Sequence, residues 1–121
     1  MINMKREVSL EGLAYIDRVM NRVSSISEAY YQGKTVEARD LLNQLIEGLN
    51  WLEQMAVAFE MKKTPEQETR IIRFLDRMND AVAVGDWVAI IDIIDYELEQ
   101  VLHCYRDLFR QSLEAEPEAA L

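Results

Sequence analysis

The chain has 121 residues, half of them hydrophobic, which is enough for one domain whose core needs no disulfide or metal. Its 22 acids against 13 bases give a formal charge of −9, which argues against binding nucleic-acid phosphates or anionic lipid. One cysteine, Cys104, leaves no intrachain disulfide and reads as a small buried residue within a helix. No run of about 18 apolar residues exists to span a bilayer. Lys5 and Arg6 precede no apolar stretch that would make a signal peptide. The expected location is the cytoplasm.

The predicted elements are all helices. The first runs from about Ser9 to Gln32, with Leu13, Ile16, Met20, Val23 and Tyr30 on its buried seam and Ser27 as a weak point. Gly33 stops it, since glycine takes the left-handed conformation cheaply. Thr35 then caps a second helix reaching about Met61. There Ala38, Leu42, Leu45, Leu49, Leu52, Ala56 and Phe59 repeat at alternating spacings of four and three.

Thr64-Pro65-Glu66-Gln67 is a helix start: a capping threonine, proline at the first helical position and glutamine where a capping box needs it. The third helix follows over residues 65–84, with Ile71, Leu75, Met78 and Val82 inward, and Gly85 ends it. Asp86 caps the fourth, 86–114, whose seam is Trp87, Ile91, Ile94, Leu98, Val101, Tyr105 and Leu108. The tail from 115 to 121, with Pro117, is expected to fray.

Short connections make sequential helices antiparallel neighbours, so the expected fold is an all-α, up-down-up-down four-helix bundle in a single domain, 1–121. At an offset of 52 residues, Arg18, Ala29, Gly33, Val36, Asp40 and Glu47 match Arg70, Ala81, Gly85, Val88, Asp92 and Glu99. Either the two hairpins are duplicates, or any two amphipathic hairpins aligned on their turn glycine look this way.

No motif for catalysis, metal or nucleotide stands out, and no cofactor is expected. A bundle di-metal site wants two Glu-x-x-His elements; here Gln100 stands three before the only histidine, His103. Adjacent helix residues point about 100° apart, so His103 does not face Cys104. Gly12, Gly33, Gly48 and Gly85 are too scattered for a phosphate loop.

Two surfaces carry the functional expectation. From Trp87 to Ile94 only Asp92 is charged, so Val88, Ile90 and Ile93 form an apolar surplus beside the seam, to be covered by the start of the third helix, the N-terminal segment, a second copy of the chain or a client. Leu41, Gly48 and Met55 form a smaller stripe on the second helix, either close helix packing or a shallow groove. Beside the first surplus lie Asp92, Asp95, Tyr96 and Glu99. This acidic stripe is either a solvated face paired with Arg18 or Arg22, or a selector for basic partner flanks. Glu97 is expected near Arg73.

The run Ala81-Val-Ala-Val-Gly85-Asp86-Trp87-Val-Ala-Ile-Ile-Asp92-Ile-Ile-Asp95-Tyr96-Glu97-Leu98 resembles the C-terminal hairpin of small, uncharacterised bacterial helical proteins. In size, charge and the Ala29-x-x-x-Gly33 and Ala38-x-x-Leu41 spacings, the chain also resembles flagellin-type export chaperones. That resemblance implies a protein holding the amphipathic terminal helices of an export substrate.

The sequence therefore predicts a non-enzymatic module that binds an amphipathic partner helix. Leu41, Met55, Val88, Ile90 and Ile93 are its expected apolar contacts, and Asp92, Asp95, Tyr96 and Glu99 its polar selectors. The alternatives are a structural homodimer using the same surface, and a carboxylate–metal bundle enzyme.

Overall fold

The structure, a computed structural model, describes residues 3–115. Six α-helices follow in order: α1 (Met4–Met20), α2 (Ser25–Tyr31), α3 (Thr35–Ala58), α4 (Pro65–Val84), α5 (Trp87–Ile93) and α6 (Glu99–Ala115). A π turn, Ile94–Leu98, joins α5 to α6 without interrupting the rod. They make four rods: α1 with α2, α3, α4, and α5 through α6. The protein is an all-α four-helix bundle, with no strand among the described residues. The tail beyond Ala115 lies outside the described residues.

α1 begins five residues before its predicted start because Asn3 supplies the cap, its Oδ1 accepting from the Arg6 amide at 3.0 Å. Ser9 is no cap: it is fully buried, its hydroxyl donating to the Lys5 carbonyl at 2.7 Å and bonded to the Ser112 hydroxyl at 3.2 Å. Gly12 lies one turn on, and a Cβ there would overlap the Phe109 ring. Ser9 with Ser112, Gly12 with Phe109 and Asp17 with Arg106 set α1 antiparallel to α6.

The predicted first helix is broken. After Met20 the amide of Arg22 donates to Val19 at 2.9 Å and that of Ser25 to Arg22 at 3.0 Å, a tightened i→i−3 turn. Asn21, Ser24 and Ser25 favour it, because short polar side chains compete with helical backbone bonds. Ser27, the predicted weak point, is buried inside α2 and donates to Asp95 Oδ1 at 3.2 Å. Across the break the rod changes neighbour: α1 lies along α6, α2 along α3.

Three helices end alike. Gly33, Glu60 and Gly85 take positive φ of 76°, 54° and 68°. At each, the following amide donates five residues back: Lys34 to Ala29, Met61 to Ala56 and Asp86 to Ala81, at 2.8–2.9 Å. This Schellman closure satisfies carbonyls the helix leaves open. It also stops α3 at Ala58, short of the predicted Met61. The two glycine turns match at the 52-residue offset, but only the first rod breaks and only the last holds a π turn.

α4 starts with the predicted capping box: Thr64 Oγ1 accepts from the Gln67 amide at 3.1 Å, and the Thr64 amide donates to Gln67 Oε1 at 2.9 Å. Its buried face is Ile71, Phe74, Met78 and Ala81, rotated from the predicted seam so that Leu75 is half-buried and Val82 exposed. The seams of α3 and the last rod are buried as predicted, save the half-buried Phe59 and Trp87. Cys104 is buried too.

Glu60 is the one non-glycine residue at positive φ among the described residues, and a left-handed L-residue costs roughly 1–2 kcal/mol. Glu60→Gly is expected to raise unfolding free energy by about 0.5–1 kcal/mol in urea titration, after the entropy glycine adds to the unfolded chain. An unchanged or lower midpoint contradicts the closure.

Candidate functional site

Where the first rod leaves α6 for α3, a cleft opens. Val19, Val23 and Ile26 line it from the first rod, Leu41 and Leu45 from α3, and Leu98 from the π turn. Tyr15, Arg18, Arg22, Ser25 and Gln44 complete the lining, around a volume of about 250 Å³. Its position follows from local geometry. Tyr15 lays its hydroxyl end over Gly48, where a Cβ would collide with it. The Leu41–Gly48–Met55 stripe is thus no open groove: its glycine notch is filled by α1's own tyrosine. Of the stripe, the Leu41 end lines the cleft, past the i→i−3 turn.

The electrostatics are lopsided. No carboxylate lines the cleft, although the chain carries −9. Arg18 lies with its guanidinium carbon 5.8 Å from the Tyr15 ring centroid, a cation–π contact. Burial raises the Tyr15 pKa above the ordinary phenol value, and Arg18 partly offsets it. The expected pairing of Arg18 or Arg22 with the acidic stripe does not form among the described residues. Arg106 reaches Asp17 at 2.6 Å instead, and Asp95 takes its hydrogen bond from Ser27. Glu97 pairs with Arg77, not Arg73. Helical side chains lean toward the N-terminus, which carries Glu97 back to the Arg77 level.

The predicted contact residues do not come together. Ile90 and Ile93 are 1% and 2% exposed in the core, so they cannot meet a partner. The apolar surplus that singled them out is consumed inside the monomer, because this stretch packs on α4 and continues into the π turn. Leu41 and Met55 are half-buried against the core, while Val88 is 66% exposed. Asp92, Asp95, Tyr96 and Glu99 are exposed, none of them in the cleft. Tyr15, Val19, Val23, Ile26 and Leu45, which line the cleft, were not among the predicted contact residues. Their signal was present: apolar residues at 19, 23 and 26 interleave with Arg18 and Arg22 on a segment of short polar residues.

A second polar centre ties the rods together. The Tyr105 hydroxyl donates to Glu53 Oε1 at 2.8 Å, and Lys63 Nζ donates to Glu53 Oε2 at 2.7 Å. Burial, then the Glu53 carboxylate, push the Tyr105 pKa far up, so it stays a neutral donor. The contact joins α6, α3 and the α3–α4 loop. Among the described residues, no group of three or more His, Cys, Asp or Glu side chains is placed to hold a metal ion. None of their helices is long and apolar enough to cross a membrane.

Fold and cleft together define a small antiparallel helical bundle with an apolar, arginine-rimmed opening between its first two rods. The chain belongs to the family described as a domain of unknown function, DUF8042, whose model matches residues 7–107. The match takes in the whole cleft and stops short of Phe109 and Ser112. No curated protein and no solved structure matches the chain.

Tyr15 and Tyr105 both have raised pKa values, so the folded state holds protons that the unfolded chain releases near pH 10. The stability these two tyrosines contribute is therefore full below about pH 10 and is lost as pH rises beyond it. Tyr105→Phe is expected to lose about 1 kcal/mol at pH 7, and to fall less than wild type from about pH 9 to 11 in urea titrations. Parallel pH profiles contradict the buried hydrogen bond.

Proposed function

We propose that this chain is a cytoplasmic, non-enzymatic protein-binding module that holds one amphipathic helix of a partner, as an export-chaperone-like or regulatory protein does. The observation that carries it is the size and lining of the cleft. At about 250 Å³ it falls below the roughly 300–1,000 Å³ typical of small-molecule sites. It exceeds the roughly 150 Å³ cavity that takes a benzene ring. One bulky side chain, presented by a helix lying in the furrow between two rods, fits that volume. Leu41 and Leu45, one turn apart on α3, and Val19 and Val23, one turn apart on the first rod, are the walls such a helix needs.

A second reading, the homodimer, has its own observation. Tyr30 stacks on Trp87 with centroids 5.4 Å apart, which brings the two glycine turns to one end of the bundle. Around them Tyr31, Val36, Val84 and Val88 are 73%, 73%, 78% and 66% exposed. An apolar end of this kind suits a self-complementary twofold contact.

A photo-crosslinking amino acid placed in turn at Leu41, Val88 and Ile72 in the native host separates these readings. The helix-holding reading expects adducts at Leu41 to one other protein, mapping to an amphipathic segment, and none at Ile72. Adducts only to a second copy of the chain, strongest at Val88, favour the homodimer and sink the helix-holding reading. No adduct at Leu41 sinks it as well.

A further inference from the structure

We infer that the helix held in the cleft carries an acidic residue within one turn of its apolar anchor. This rests on the helix-holding reading and reverses the charge preference that the acidic stripe suggested.

The apolar half follows from comparing the two hairpins. At the 52-residue offset, Val19, Arg22 and Ile26 fall on Ile71, Phe74 and Met78. In α4 those three are 2%, 0% and 3% exposed, with Phe74 filling the bundle between its neighbours. In the first rod the residue at Phe74's place in the offset is Arg22, which lies in the turn between α1 and α2 and is exposed. Val19 and Val23 are left half-buried, packed against the core on one side and lining the cleft on the other. An incoming aromatic or branched aliphatic side chain supplies what Phe74 supplies to the other hairpin.

The charged half follows from the arginines. Arg18 and Arg22 stand one turn apart on the same wall of the cleft. Neither makes an ion pair among the described residues, in a chain with 22 acids. Arg18 is already held over Tyr15, so little side-chain freedom is lost on binding. A guanidinium matches a carboxylate with two parallel hydrogen bonds, and two guanidiniums beside an apolar floor repel a basic flank. The occupant is therefore an amphipathic helix with Asp or Glu one turn from a Phe- or Leu-like anchor.

The test is calorimetric titration of the full chain with two synthetic helical peptides of about five turns. They share one Phe-centred apolar face and differ only in carrying Glu or Lys one turn to either side of it. The Glu-flanked peptide is expected to bind about tenfold tighter, a difference that shrinks with added salt. The double variant Arg18→Glu, Arg22→Glu, checked for unchanged helicity by circular dichroism, is expected to prefer the Lys-flanked peptide. Equal binding of the two peptides to wild type overturns the charge inference and leaves the helix-holding reading standing. Binding of neither overturns both. Octanoate competing as well as the Glu-flanked peptide makes the cleft a site for a small amphiphilic anion, and overturns the inference too.

Discussion

Phe109 occupies the space above Gly12 that any other residue there would need for its own Cβ. That close approach, with the buried Ser9–Ser112 hydrogen bond one turn away, seats α1 on α6. The rest of the architecture adjusts to it. A straight first rod held this tightly to α6 would stand off from α3, and α1 does touch α3 sparingly. Two devices bridge the gap: Tyr15 lies over Gly48, and the tightened turn after Met20 redirects the chain so that α2 packs on α3. The cleft is the space those two devices leave between them. It is thus a consequence of backbone packing, and its shape is set within the monomer.

The last rod makes the complementary adjustment. α5 packs on α4, while α6 meets α1, α4 and α3, and the π turn lies between these two halves. A π turn inserts extra backbone into the helical period and so re-aims the residues that follow. Buried residues consequently spread around much of the rod, from Ile90, Ile91, Ile93 and Ile94 to Leu102, Tyr105 and Phe109. The acidic residues are pushed to the outside, and the arginines of the first rod keep the cleft to themselves. Charge is therefore segregated between a solvated acidic face and a basic opening in one small protein.

How far the sequence could be read follows from this physics. Periodicity revealed α3 almost residue for residue, because one uninterrupted stripe faces one continuous core. The capping box at Thr64 and the stops at Gly33 and Gly85 were equally legible, since they depend on local backbone chemistry. Cys104 was rightly placed inside. Periodicity failed where an element changes neighbours. The seam through Met20 and Val23 assumed a single core-facing stripe, yet the rod turns at Asn21–Ser24. The surplus at Ile90 and Ile93 left core burial and a partner surface equally open, because a pattern of one period does not reveal a π turn. Gly12 and Gly48 carry no local mark that an aromatic ring from elsewhere will sit on them. The acidic stripe was visible, but its distance from the opening was not.

The claim that the α1–α6 seat governs the rest is tested most directly by the urea unfolding free energy of Gly12→Ala. In a helix interior free of tertiary constraint, this substitution stabilises by roughly 1 kcal/mol, because alanine has the better helix propensity. Over Phe109 the methyl group must displace a buried ring, and overpacking of that kind costs about 1–3 kcal/mol. A net loss of stability is expected, accompanied by shifted resonances at Phe109 and at the residues of the Asn21–Ser24 turn. A gain in stability with those resonances unmoved would contradict it.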